Sequence, residues 1–102
     1  LADAGTPSVP VAPYRTFATQ ELADAVADSI GSSYACLMAN HGLSTCGKDL
    51  NSAYTLAREC EWIAEIQWRA MCIGKPNTLD DDEMMHVLKK FGTHGQPKEE
   101  KK

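Results

Sequence analysis

Long apolar runs are missing from this 102-residue chain: none approaches the roughly 20 residues that cross a bilayer as a helix. The opening Leu1-Ala2-Asp3-Ala4 has neither the basic nor the apolar region of a signal peptide. Neither a membrane partner nor an export signal is expected, and the starting Leu in place of Met points to a missing or processed beginning. Positive charge is short too. Ten Lys and Arg face fourteen Asp and Glu, and the formal net charge of −4 offers no basic field to release counterions from a nucleic acid. Cys36, Cys46, Cys60 and Cys72 lie too far apart for a metal knuckle or a Cys-x-x-Cys redox motif, so they read as reduced thiols of a cytoplasmic protein. No glycine-rich phosphate loop is present, Gly5-Thr6 and Gly31-Ser32-Ser33 being too short. A Ser-His-Asp context and internal repeats are also lacking.

What remains is ordinary globular composition, 43% hydrophobic and 24% charged, in a length that allows one small core. Ser8 to Tyr14 alternates apolar residues with prolines, which cannot donate to a ladder, so this stretch predicts an extended edge segment. Thr19 is placed to cap a helix from Gln20, with Leu22, Ala25, Val26 and Ile30 on one face, ended by Gly31-Ser32-Ser33. The apolar run Tyr34 to Ala39 predicts a strand buried on both faces, the turn Asn40-His41-Gly42 follows, and Leu43 to Cys46 predicts a second short strand.

Asp49 caps the longest helix, predicted to about Ile73. Its stripe is Leu50, Ala53, Tyr54, Ala57, Cys60, Ala64 and Trp68. Leu56, Trp62, Ile63, Ile66 and Met71 fall on its other faces, more apolar surface than one small domain covers, so part of it is expected to meet another subunit or an absent half. Gly74 and Pro76 stop that helix, and Asp80 with Glu83 starts a final one through Met84, Val87, Leu88 and Phe91 to Gly92. Residues 1–96 read as one folded unit and 97–102 as a mobile charged tail.

His41 is the residue best placed for chemistry, because a strand-to-turn junction can hold a side chain rigidly at the mouth of a cleft. A neutral imidazole there can ligate a divalent ion. On residues alone, a structural histidine hydrogen-bonded at a strand end is the weightier account. His86 reads as a surface or interface residue, and His94 could fold from Gly92-Thr93-His94-Gly95 over a neighbouring cleft. The run Asp80-Asp81-Asp82-Glu83 matches the helix macrodipole and is not read as a cation site. Glu59 and Glu61 read as solvated or paired with Arg58 or Arg69.

The order of Ala12-Pro13-Tyr14, Thr16-Phe17, Glu21-Leu22, Ala39-Asn40-His41-Gly42-Leu43, Asp49-Leu50 and Lys90-Phe91-Gly92-Thr93-His94-Gly95 resembles the carboxyl-terminal half of the class II aldolase/adducin family, in its L-fuculose-phosphate aldolase branch, over about Pro10 to Gln96. The resemblance implies an α/β fold, part of an α/β/α three-layer sandwich with a mostly antiparallel central sheet, in a homotetramer with active sites between subunits. It implies zinc, or another divalent metal ion, held by three histidines, with His41 on the last of them, and reversible cleavage of a sugar phosphate to dihydroxyacetone phosphate and an aldehyde. The other ligands, the acid–base glutamate and the phosphate loops would lie in the missing amino-terminal half, so this chain alone is expected to be inactive. His94 stands where the family's aldolases tend to carry a tyrosine, and Ala18 where a glycine is common. A ribulose-phosphate 4-epimerase of the same family, and an adducin-like interaction module without the metal site, are the competing readings.

Overall fold

Three short polar side chains start the three helices. Thr19 Oγ1 accepts from Leu22 N–H at 3.2 Å, Asp49 Oδ1 from Ser52 N–H at 2.7 Å and Asp80 Oδ1 from Glu83 N–H at 2.8 Å. Each satisfies a donor that the first helical turn would otherwise leave open. The helices that follow are α1 (Gln20–Ile30), α2 (Leu50–Ile73) and α3 (Asp81–Phe91). In this computed structural model residues 2–92 are described, so the expected tail at 97–102 lies outside them.

Between the helices lie three short strands, β1 (Val11–Ala12), β2 (Ala35–Met38) and β3 (Gly42–Thr45), in the order β1-β2-β3. β1 runs parallel to β2 and β3 antiparallel to it. The sheet is thus small and mixed, and the fold is α/β. Prolines at 10 and 13 hold β1 to two residues at the sheet edge, as expected of a segment poor in donors. A single 3-10 turn at Ala2–Ala4 precedes it and is tied to the start of β2 by the bond from Tyr34 N–H to Ala4 O at 2.8 Å.

The core is built on alternation. Val11, Leu37 and Leu43 stand opposite one another in register and share a face with Ala35. That face meets α2 at one end only, where Ala4, Ala35, Leu56 and Cys60 form the buried cluster, with Val9 and Leu43 packed against it. α1 packs on β1 and β2, and Ala12 and Cys36 on the opposite face are fully buried. Ser33 is the buried polar side chain, and its hydroxyl is satisfied by Ala35 O at 2.9 Å.

Two expectations about burial need correction. β2 is covered at Ala35 and Cys36 but Leu37 is 41% exposed, because α2 crosses the sheet at the other end of the strand. In α2 the residues turned inward are Leu56 and Cys60, whereas Leu50, Tyr54 and Trp68 of the expected stripe are exposed. The helix is apolar on several faces, so its own periodicity does not choose one. The choice falls to what faces it, the small side chains of Ala4 and Ala35, which admit Leu56 and Cys60 closely.

Candidate functional site

The β2–β3 hairpin delivers His41. Its loop closes with His41 N–H bonded to Met38 O at 2.9 Å, and it turns on Asn40 at φ 65° and Gly42 at φ 149°. Both angles lie in a region that Cβ-bearing residues visit at a cost; asparagine tolerates it better than most and glycine pays nothing. His41 is thereby carried to the exposed end of the sheet on a short, conformationally defined turn.

A second segment meets it there. Ala39 N–H bonds to Ala12 O at 3.1 Å, bringing the end of β1 alongside the hairpin, and the chain continues through Pro13-Tyr14-Arg15 past the His41 ring. The Tyr14 and His41 rings stack with centroids 5.3 Å apart and planes 9° from parallel. His41 Nε2 lies 2.7 Å from Arg15 O. A carbonyl oxygen only accepts, so Nε2 carries the proton and, in the neutral ring, Nδ1 carries the lone pair. Thr19 Oγ1, besides capping α1, donates to Thr16 O at 2.7 Å and fastens the far end of this segment. Ala18, where the resemblance led us to expect glycine, has φ 58°.

Two expected motifs, the Pro-Tyr-x-Thr-Phe segment and the Asn-His-Gly turn, therefore come together. His41 does what a strand-end histidine commonly does, bonding to backbone. The same arrangement suits a ligand, because metal-binding histidines habitually give their other ring N–H to a carbonyl that fixes tautomer and orientation. Among the described residues no group of three or more His, Cys, Asp or Glu could hold a metal ion. His41 has the chemistry and the fixed tautomer of a single ligand, and the described residues alone do not make a metal site. His94 lies outside the described residues.

Two open grooves flank the sheet. One, of about 540 Å3, lies between Leu43 of β3 and Ala57, Arg58, Glu61, Trp62 and Glu65 of α2. The other, of about 290 Å3, is lined by Pro13 and Arg15 and by Glu21, Asp24 and Asp28 of α1. Three carboxylates against one guanidinium make the second groove a poor seat for a phosphate. The expected partners of Glu59 also need correcting. Arg69 bonds to Glu65 at 2.7 Å, and the Arg58 guanidinium lies 6.0 Å from the Tyr54 ring centroid. Glu59 instead shares a hydrogen bond with Asp3, which, with some desolvation and the nearby Asp3 charge, pushes its carboxyl up to about 7. Burial also raises the Cys60 thiol. Sequence reasoning had no signal for the Asp3–Glu59 pair or for the Tyr14–His41 stack, since both join residues far apart in the chain.

Comparison with known proteins converges on one group. The family model described as Class II Aldolase and Adducin N-terminal domain matches residues 1–68. A 5-deoxy-D-ribulose 1-phosphate aldolase of Bacillus thuringiensis serovar kurstaki is 43% identical over 96 residues, covering 94% of this chain and 45% of the relative. The L-fuculose phosphate aldolase of Escherichia coli (strain K12) is 41% identical over 96 residues, covering 93% of this chain and 45% of the relative. A solved L-fuculose 1-phosphate aldolase superposes with a TM-score of 0.80 at 37% identity, over 82% of this chain and 40% of that one. The chain thus spans under half the length of the curated relatives it matches, corresponding to their carboxyl-terminal half.

Proposed function

The chain belongs to the class II aldolase and adducin family, and from that premise we propose that the whole protein is a metal-dependent sugar-phosphate aldolase, cleaving its substrate reversibly to dihydroxyacetone phosphate and an aldehyde. The observation that carries the reading is His41, presented at the hairpin end with one ring nitrogen bonded to Arg15 O. In this proposal His41 is one ligand to a divalent ion, zinc being the first candidate, and the remaining ligands come from the amino-terminal half. Held by His41 and those further ligands, a divalent ion would supply Lewis-acid stabilisation of negative charge developing on a substrate oxygen. The contribution of this chain is to hold the imidazole at a fixed place and orientation, which is what an efficient site demands of its ligands.

Further parts of the proposal follow from the same premise. Residues 1–96 form part of a larger three-layer sandwich whose complete sheet is mostly antiparallel. The exposed apolar residues Trp62, Ile66 and Met71 of α2 are covered by the amino-terminal half or by neighbouring subunits of a homotetramer. For His94, which lies outside the described residues, the proposed role is that of the family's tail tyrosine. Among the described residues no helix is long and apolar enough to cross a membrane, in keeping with a cytoplasmic enzyme. The names of the relatives favour carbon–carbon cleavage over epimerisation.

The test is made on the full-length protein. The wild type is expected to bind about one divalent ion per subunit and to release dihydroxyacetone phosphate from a ketose 1-phosphate. His41→Ala should lower kcat/KM by at least about 100-fold and deplete the metal. A full-length protein that binds no metal and cleaves no sugar phosphate would sink the reading in favour of an interaction module, and interconversion of pentulose phosphates without cleavage would favour the epimerase.

A further inference from the structure

We propose that Tyr14 is a positioning residue for His41: its ring fixes the plane of the imidazole and so keeps Nε2–H on the Arg15 carbonyl, the bond that sets rotation and tautomer. An exposed histidine at the end of a hairpin has two freedoms that matter to a ligand. The ring can swing about its side-chain torsions, and a half-turn of the ring exchanges Nδ1 with a carbon. Each freedom meets a restraint here, and the second holds only while the first does, since a ring that swings off Tyr14 carries Nε2–H away from Arg15 O. Parallel stacking, with centroids 5.3 Å apart and planes 9° from parallel, resists tilting, because tilting would lose ring contact with Tyr14. The 2.7 Å bond from Nε2–H to Arg15 O resists the half-turn, because the flipped ring would present a C–H to the carbonyl.

Both restraints come from adjacent residues of one segment, and that segment is itself tied down at each end. Ala12 O accepts from Ala39 N–H, next to the hairpin loop, and Thr16 O accepts from the Thr19 hydroxyl that caps α1. The clamp therefore moves with the hairpin, and α1 acts as its far anchor. Arg15 Nη1 also donates to Tyr14 O at 2.7 Å, bracing the segment within itself. The phenolic hydroxyl of Tyr14 takes no part in this geometry, so phenylalanine should serve equally well and a residue without a ring should not.

The experiment records imidazole nitrogen shifts of the full-length, metal-free protein, with histidine labelled by nitrogen-15, at a mildly alkaline pH where imidazoles are neutral. His41→Gln identifies the resonances. The wild type and Tyr14→Phe should show a single His41 tautomer protonated at Nε2, and Tyr14→Ala should show averaging of the two tautomers with its backbone spectrum otherwise retained. The role rests on the metal reading only in the second readout. There, affinity for zinc, measured by competition with a chelator, should fall about 10- to 100-fold in Tyr14→Ala and stay unchanged in Tyr14→Phe. A single Nε2–H tautomer that survives in Tyr14→Ala overturns the proposal, as does a Tyr14→Phe variant that averages like Tyr14→Ala. Tautomer averaging confined to Tyr14→Ala, in a protein that binds no zinc in any form, would uphold the positioning role while the metal reading fails.

Discussion

The first half of α2 holds fewer apolar residues than the second, yet it is the first that is buried, because the two halves meet opposite surroundings. In the first half Leu56 and Cys60 are buried against Ala4 and Ala35, the Ala53 carbonyl accepts from the Thr45 hydroxyl at 2.8 Å, and Glu59 bonds to Asp3. In the second half Trp62, Ile66, Trp68, Met71 and Ile73 are exposed, the last at 92%. Apolar residues at helical spacing become a core only when something small and apolar is held opposite them. The first half has the 3-10 turn and β2 to face, and the second half extends beyond both.

The sharpest way to break this contrast is Leu56→Ala, expected to cost about 3 kcal/mol through lost burial and the cavity left behind. Ile73→Ala in the same 102-residue chain should stay within about 0.5 kcal/mol, and urea denaturation compares the two. Equal costs would mean that the second half of α2 is packed after all. A smaller effect concerns the anchor of the first half. The Glu59 carboxyl sits at about 7 against an ordinary value of 4.5, because it shares a proton with Asp3. A raised acid favours the folded state where it stays protonated, so the contribution is complete below pH 4.5 and is lost as pH rises through about 7. The pair is only part-buried, which keeps the effect modest. Melting temperatures of wild type and Glu59→Gln, followed across that range, should diverge, with the variant showing the flatter profile. The smallest expected change leaves α2 alone. Ala18 holds φ 58°, where its Cβ is unfavourable, so Ala18→Gly should stabilise by about 0.5 kcal/mol and shift both halves equally in hydrogen exchange.

These effects also mark where the sequence was readable. The starts of the three helices were legible because a cap is a local bargain: Thr19, Asp49 and Asp80 each bond to a backbone N–H three residues on. β2 and β3 were legible because turn residues bracket them. The inward face of α2 was not, since Leu50, Tyr54 and Trp68 satisfy the helical period as well as Leu56 and Cys60 do. For the site, the type of residue and its place at the hairpin could be read from Asn40-His41-Gly42 and from the family resemblance. Tyr14 over His41 could not, because nothing short-range links residues 27 apart. Ala18 shows the two kinds of knowledge meeting: an alanine where glycine is common becomes intelligible once its backbone angle is known.

The four thiols divide two and two, Cys36 and Cys60 buried, Cys46 and Cys72 exposed. Cys60 is further quieted because burial raises its thiol and leaves less of it as the reactive thiolate. A mild alkylating label would therefore count two sites on the native chain and four on the unfolded one, with the Cys60 signal reporting separation of α2 from Ala35 and the Cys72 signal reporting whether anything has come to rest on the far end of that helix.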